Sequence, residues 1–370
     1  MSNSKALFGM WMVFLAALVA AGVLTAFVVL SQGLGSYNQS DIVFWGLPMT
    51  GYLFFGLTAA GLTFLSSLPT VFGLKHLYPV AKKAALLAFA MLLSGLLCKG
   101  LDLGPLSTVS NLIWVAFSPN LASPIWWMAV LYGFYLLLVL LKFRKMHMGQ
   151  WQESGGYQVA VSALLLAGFS FVALCLVFGT VAARPTWLGA SMGLTFLVTA
   201  LASGLAALIL VSYFQGGDNT SVLDDLAKYL MYALGASLVL FLFRLAVAAS
   251  ADMKGFEGFL GMSGSLSFNL ELWAGLVVPL GMFAFKSVRQ SSGGKVIASF
   301  LVLVGMFAGR MEQILSANVV PMGVQAEGMP SMVSYMPSLT EWGVIALAFG
   351  LSLGIYSLAV RSLNLDAMPD

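Results

Sequence analysis

The chain has 370 residues, of which 60% are hydrophobic and 8% are charged, and its formal net charge at pH 7 is +3. A soluble domain cannot bury so much apolar surface, whereas a protein that crosses a membrane several times exposes it to lipid. The basic residues stand in short clusters between apolar runs rather than on one face, which excludes a nucleic-acid partner. We therefore expect an all-α integral membrane protein whose main surroundings are the lipid bilayer.

Apolar runs of about 20 residues are the units that cross a bilayer as helices. The first run here extends to Leu30, which is too long for the apolar core of a signal peptide, so we interpret it as a membrane helix. Ten spans are predicted in all, at 7–31, 51–74, 84–103, 124–142, 157–182, 188–213, 228–250, 268–286, 296–316 and 338–361.

The distribution of basic residues predicts how these spans are oriented, because Lys and Arg are enriched in cytoplasmic connections. With ten spans, twelve of the seventeen Lys and Arg residues fall on the side that carries both termini. Arg184 and Lys254 fall on the opposite side, and the other three lie within spans. We therefore expect both termini to be cytoplasmic.

Ligands for metals and redox centres are few in this sequence. Cys98 and Cys175 lie inside apolar runs, whereas an iron–sulfur cluster usually takes four thiolates. His76 and His147 flank lysine-rich connections and do not stand at mid-membrane, where axial haem ligands would be needed. The sequence thus predicts no metal site, and neither a haem nor an iron–sulfur cluster bound by this chain.

The segment from Lys99 to Pro105, at the outer end of span three, is the main candidate for a functional site. Ionisable residues at a helix centre in the membrane cost about 2.5–3.5 kcal/mol, so they are rare and often functional. Gly100 and Gly104 flank Asp102 and leave room beside it for a ligand. We predict that Asp102 exchanges a proton near neutral pH and that Lys99 biases its charge.

Further charged residues lie in the outer parts of spans seven to nine, namely Arg244, Glu271, Arg310 and Glu312. Acids and bases occur in similar numbers, so ion pairs such as Arg244 with Glu271 are expected. Such groups either lock helices together or form part of a functional route. Glu341, at the start of span ten, is interpreted as a helix-end group.

These features leave three classes of function open. A proton-exchanging pocket lined by aromatic and small residues suits an amphipathic ligand dissolved in the membrane, such as a quinone. The same charges suit a secondary transporter or ion channel, although the Gly and Pro breaks stand near helix ends rather than at the bilayer midplane. A structural anchor for peripheral subunits is the third class.

Several short motifs follow one another in order along nearly the whole chain. They are Phe44-Trp-Gly-Leu-Pro48, Gly56-Leu-Thr-Ala-Ala-Gly61, Leu101-Asp-Leu-Gly104, Ser118-Pro-Asn-Leu-Ala-Ser-Pro124, Ala183-Arg-Pro-Thr-Trp187, Glu271 with Pro279, Gly309-Arg310 and Tyr335-Met-Pro-Ser-Leu-Thr-Glu341. In this order the sequence resembles the NrfD/PsrC family of quinone-interacting membrane subunits. The resemblance is to the ten-helix form found in hydrogenase-2-type, high-molecular-weight cytochrome and sulfite-reduction-associated complexes.

The resemblance implies two four-helix bundles, with the first and tenth spans outside them. The corresponding division is a peripheral first helix at 1–34, a quinone-binding bundle at 35–182 and a second bundle at 183–316. An outer loop and the tenth helix follow at 317–370. The quinone would bind in the first bundle near the outer face.

The resemblance also assigns residues to this expected site. Asp102 matches the acidic position of the family, and Trp45, Gly61 and Arg184 match positions around the outer end of the first bundle. We expect Trp45 and Tyr52 to pack on the quinone ring while Asp102 exchanges its proton. A proton route through the second bundle is implied for Arg244, Glu271, Arg310 and Glu312.

The implied role is that of a subunit of a quinone oxidoreductase complex rather than an enzyme alone. Electrons would pass between the quinone pool, with menaquinone the expected quinone, and a periplasmic ferredoxin-like subunit with four iron–sulfur clusters. Further redox partners would be a multihaem cytochrome, or a hydrogenase or molybdopterin catalytic subunit. The location would be a bacterial or archaeal cytoplasmic membrane, and translocation of protons is left open.

Overall fold

The computed structural model describes residues 2–153, 155–215, 220–250, 255–322 and 330–367, and in these ranges its regular elements are helices. Lys254, which enters the count of charges above, lies outside the described residues. The same holds for residues 323–329 and 368–370 of the expected C-terminal segment.

Ten helices in the described ranges are long and apolar enough to cross a membrane, which confirms the predicted number of spans and the all-α membrane class. Three shorter α-helices lie between them in the described ranges. In chain order the helices are α1 (Ser2–Gln32), α2 (Leu47–Phe72), α3 (Tyr78–Asp102), α4 (Leu106–Phe117), α5 (Pro124–His147), α6 (Gly156–Gly179), α7 (Ala190–Gln215), α8 (Thr220–Ser250), α9 (Glu257–Gly261), α10 (Leu266–Ala284), α11 (Lys286–Gln290), α12 (Ser292–Asn318) and α13 (Leu339–Ser362).

Helix α3 begins at Tyr78, earlier than the predicted start at residue 84. The prediction assigned Lys82 and Lys83 to a connection, but both are buried inside the helix. Lys83 pairs with Asp366 at 2.8 Å, and Lys82 donates a hydrogen bond to the carbonyl of Asn364 at 3.0 Å. The chain after α13 therefore folds back onto α3 and satisfies the two ammonium groups.

Eight of the spans pack in two groups of four. Helices α2, α3, α5 and α6 form a ring that we call the first group, and α7, α8, α10 and α12 form the second group. Helix α2 joins the groups by packing on α7 and α12. Glycines allow this contact, because a Cβ at Gly61 would overlap the carbonyl of Ala200 and a Cβ at Gly204 would lie 3.0 Å from the Gly61 backbone.

Helices α1 and α13 pack on each other outside both groups, and α13 also contacts α2 and α3. The contact is close because glycines line it: a Cβ at Gly350 would lie 2.9 Å from the side chain of Val19, and one at Gly22 would overlap Leu347. Most of α1 is otherwise exposed, as expected of a helix that faces lipid.

Helix α10 contains a π-helical segment at Leu270–Val277. It adjoins a close approach to α12, since a Cβ at Gly275 would lie 2.9 Å from the Cα of Gly305. A π segment widens one turn of the helix, and such segments are frequent at functional sites. Glu271 lies in this widened turn.

Candidate functional site

Helix α3 ends at Asp102, where the chain turns through Gly104 with a φ of +88° that favours glycine. Lys99 lies one turn earlier, and its Nζ is 2.8 Å from Oδ2 of Asp102. Asp102 is 8% exposed. The two residues predicted to act together are therefore in direct contact. We call this the Asp102 end of the molecule, and we call the opposite end, where Lys82, Lys83 and Lys145 lie, the lysine-rich end.

The other carboxylate oxygen of Asp102, Oδ1, is buried and has no hydrogen-bond partner among the described residues. A buried acceptor without a partner costs about 1–3 kcal/mol, so a donor from a ligand would be stabilised there. No heavy atom outside the local helix lies within 4 Å of the Cβ position at Gly100, but residues two apart on a helix point to opposite sides, so this space does not adjoin the Asp102 carboxylate. Gly104 instead packs on Leu34.

Trp45, in the segment that precedes α2, supplies an aromatic surface to this end. Its ring stacks on Trp187 and is tilted against Phe178, with centroid separations of 5.5 Å in both cases. The Lys99 ammonium lies 5.8 Å from the centre of the Trp45 ring. Trp45, Lys99 and Asp102 thus form one group of an aromatic ring, a cation and a carboxylate, which we call the Asp102 cluster.

Two tyrosines outside the spans fix the backbone around this cluster, and the sequence did not predict them. The Tyr37 hydroxyl donates to the carbonyl of Leu101 at 3.2 Å. The Tyr335 hydroxyl donates to Glu341 and accepts from the backbone N–H of Leu47 at 2.8 Å. Burial raises the pKa of both tyrosines, so both hydroxyls stay protonated at neutral pH.

Glu341 is a buried cap rather than a free group at a helix end. It forms a capping box with Ser338 at the start of α13, and its Oε2 accepts from the backbone N–H of Asn38 at 3.1 Å. The Ser-x-x-Glu spacing is a known signal for this motif and could have identified it. The carboxylate therefore ties the start of α13 to the segment before α2.

Two residues predicted for the quinone site lie deeper on α2 and outside the Asp102 cluster. Tyr52 is 1% exposed and packs on Tyr132, with ring centroids 5.9 Å apart. Gly61 lies at the crossing with α7, nine residues or about 14 Å further along the helix at 1.5 Å per residue. Its observed contact is with Ala200 rather than with the cluster.

Arg184 lies at the Asp102 end, where it connects the segment after α6 to the end of α12. Its Nη1 donates to the carbonyls of Ala317 at 2.5 Å and Val320 at 2.9 Å. Its guanidinium also lies 5.6 Å from the centre of the Phe44 ring, next to Trp45 in the chain. Arg184 therefore supports the wall of the cluster and does not contact Asp102.

The second group contains a separate cluster of buried charges. Arg244 pairs with Glu312 at 3.0 Å, so the predicted pair of Arg244 with Glu271 is wrong. The reason lies in the packing of α10 on α12: the Glu271 carboxyl group occupies the space left by Gly309, where an added Cβ would lie 2.7 Å from its Cδ. Glu312 is the carboxylate that Arg244 reaches.

Arg310 is held by neutral groups in the same cluster. It donates to Gln313 at 2.9 Å and to the hydroxyl of Thr199 at 2.6 Å. Glu271 Oε2, Glu312 Oε1 and Arg244 Nη1 are buried without hydrogen-bond partners among the described residues. A cavity of about 120 Å³, lined in part by Arg244, opens beside this cluster. The structure thus brings together all four residues of the predicted proton route.

A sequence profile of the family described as "Polysulphide reductase, NrfD" matches residues 35–321, a range that contains both clusters. The chain is similar to a selenate reductase subunit of Mesobacillus selenatarsenatis, with 23% identity over 92% of this chain and 90% of that protein. It is also similar to the Hdr-like menaquinol oxidoreductase integral membrane subunit of Archaeoglobus fulgidus, with 26% identity over 91% and 89% of the respective chains.

Proposed function

The chain belongs to the polysulphide reductase NrfD family, and from this premise we propose that it exchanges electrons between the membrane quinone pool and an iron–sulfur subunit. It is a multi-pass integral membrane protein, and both relatives above carry the names of subunits of reductase or oxidoreductase complexes. Because the Archaeoglobus protein is named for menaquinol, we propose menaquinone as the quinone.

The observation that carries this proposal is the unpaired Oδ1 of Asp102 at the end of a membrane helix. The ion pair with Lys99 occupies Oδ2, which leaves Oδ1 free to accept a hydrogen bond from a substrate hydroxyl. Trp45 offers an apolar ring beside the same carboxylate. A quinol matches these features, because it joins hydroxyl donors to a flat apolar ring.

In this proposal Asp102 is the catalytic base. Oxidation of one quinol to quinone releases two electrons and two protons. Asp102 accepts the protons one after the other at Oδ1 and releases each of them, while the two electrons pass to the iron–sulfur partner. Reduction of the quinone follows the same steps in reverse, so the geometry serves both directions.

We propose further that the Asp102 end faces the outside of a bacterial or archaeal cytoplasmic membrane, because the basic connections lie at the other end. The partner at this end would be a periplasmic ferredoxin-like subunit with four clusters, joined to a multihaem cytochrome or to a hydrogenase or molybdopterin subunit. The cluster of buried charges in the second group, with its adjoining cavity, supports a separate proton route.

Replacing Asp102 with Asn in the intact complex tests this function. The amide keeps the size of the side chain but cannot act as a base, so we expect quinone turnover to fall about 10²-fold. Reaction of the partner subunits with a soluble artificial electron carrier should stay unchanged. The matched control is Asp41→Asn, because Asp41 is exposed and lies in the segment before Trp45.

Equal quinone turnover by the Asp102→Asn variant and the wild type, across the pH range in which the complex is stable, would contradict the role of Asp102. A wild-type complex that lacks quinone turnover would overturn the proposed function itself. Solute uptake by vesicles that contain only this chain would favour the transporter class instead.

A further inference from the structure

Lys142 of α5 is buried among oxygen atoms of α2, inside the first group. It is 1% exposed, and its Nζ lies 2.7 Å from Oγ of both Ser66 and Ser67 and 3.4 Å from the carbonyl of Thr63. No carboxylate forms an ion pair with it in the described ranges. The sequence placed Lys142 among the cytoplasmic cations at the end of span four, so its burial is a new observation.

Of the other three fully buried lysines in the described ranges, two have carboxylate partners and the third has a backbone carbonyl. Lys83 pairs with Asp366, Lys295 pairs with Asp224, and Lys82 donates to the carbonyl of Asn364 near the end of the described chain. Burying an ammonium group without a counter-ion is costly, and lysine is the basic side chain that readily loses its proton when buried. The position of Lys142 is therefore poor for a purely structural cation and suitable for proton exchange.

Side chains that carry hydroxyl groups, joined first by a hydrogen bond and then by contacts between rings, lead from Lys142 toward the Asp102 end. The hydroxyl of Thr63, next to the Lys142 site, is 2.6 Å from the hydroxyl of Tyr135. The ring of Tyr135 contacts Tyr132 at 6.1 Å between centroids, and Tyr132 contacts Tyr52 at 5.9 Å. All three tyrosines are at most 3% exposed. We call Thr63 and these tyrosines the hydroxyl series.

Tyr52, at one end of the hydroxyl series, lies on α2 next to the residues that contact the end of α3. A Cβ at Gly51, the neighbour of Tyr52, would lie 3.0 Å from the sulfur of Cys98, which precedes Lys99. One turn earlier on α2, the sulfur of Met49 lies 3.8 Å from Nζ of Lys99. The hydroxyl series therefore extends along α2 from the Asp102 cluster to the lysine near the opposite end.

We propose that Lys142 carries protons along the hydroxyl series between Asp102 and the lysine-rich end. The proposal rests on the proposed function and adds the side of the membrane with which Asp102 exchanges its protons. In each transfer the ammonium group gives one proton to the series, becomes a neutral amine and takes one proton from water at the lysine-rich end. No electron moves in this step, and two transfers supply the protons that one quinone takes up on reduction.

This route is distinct from the charged cluster of the second group, which lies on α8, α10 and α12. Carboxylates are missing from the described part of α2, and the one on α3, Asp102, lies at the other end of that helix. The titratable groups near the lysine-rich end on the helices around Lys142 are Tyr78, Lys82 and Lys83 of α3, Arg144, Lys145 and His147 of α5, and Tyr157 of α6.

The test uses the intact complex in lipid vesicles, with a pH-sensitive dye on the side of the lysine-rich end. Lys142→Met removes the amine, and Lys142→Arg keeps a positive charge but does not release its proton. We expect both variants to lower quinone turnover about 10²-fold and to abolish the dye response. The matched control is Lys82→Met, which removes another buried lysine near the same end and should keep the dye response.

Tyr135→Phe is the second variant, because it removes only the hydroxyl and keeps the ring; Tyr356→Phe, another buried tyrosine, is its control. We expect Tyr135→Phe to slow turnover about 10-fold. Wild-type turnover and dye response in Lys142→Arg or in Tyr135→Phe would overturn the proposal. If the Lys142 variants fail to assemble, the result for Tyr135→Phe alone tests it. A wild-type complex without quinone turnover would mean that the proposed function fails instead.

Discussion

Replacing Glu312 with Gln tests whether the pair with Arg244 stabilises the second group. The two side chains meet at 3.0 Å, and Glu312 is completely buried. At an effective dielectric constant of about 20, two unit charges at this distance attract by about 5–6 kcal/mol. Desolvation offsets most of this attraction, but removing one partner costs about 3–5 kcal/mol because the other charge stays buried and unpaired.

The double variant Arg244→Met with Glu312→Met is the matched comparison. It removes both partners of the ion pair, so neither charge stays buried without its counter-ion. We expect Glu312→Gln to lower the free energy of unfolding by about 3 kcal/mol, and the double variant to lower it by about 1 kcal/mol. Glu153→Gln, at an exposed position, should leave it unchanged.

The assay is unfolding of the full chain in mixed detergent micelles with increasing SDS, followed by tryptophan fluorescence. A Glu312→Gln variant as stable as the wild type would refute the reasoning. The same conclusion would follow if the double variant were less stable than the single one, since the cost would then not come from an unpaired charge.

Three further changes test contacts that hold the helices and the last described segment in place. Glu341→Gln should weaken the capping box by about 1–2 kcal/mol, which hydrogen exchange of the first turn of α13 would detect; unchanged protection would contradict the cap. Gly305→Ala should lower the free energy of unfolding by about 1–3 kcal/mol because α10 and α12 are forced apart, whereas Gly354→Ala, in open space, should not. Asp366→Asn should leave Lys83 without its carboxylate and speed proteolysis of the chain after α13; an unchanged cleavage rate would show that the ion pair does not hold this segment.

The parts of the fold that follow from local chemistry could be predicted from the sequence. Runs of apolar residues gave the ten spans, since length and hydropathy are properties of each segment alone. The contact of Lys99 with Asp102 follows from their spacing of one helical turn. The resemblance to the NrfD/PsrC family placed Trp45 at the same end.

Features that depend on which face of a helix meets which neighbour could not be predicted. Helix α5 is apolar on all sides, so its pattern does not reveal that Lys142 points into the first group. The contact of Tyr335 with the start of α2 joins residues 288 positions apart. The pairing of Arg244 with Glu312 rather than Glu271 depends on the packing of the Glu271 carboxyl group against Gly309, which composition does not indicate.

Photoaffinity labelling of the intact complex with an azido-quinone that supports turnover tests the central claim most directly. The account predicts that the label attaches to Trp45 and to the last turn of α3 around Asp102, and that unlabelled quinone protects these sites. Saturable labelling of the charged cluster around Arg244 and Glu312, with no label near Asp102, would contradict it.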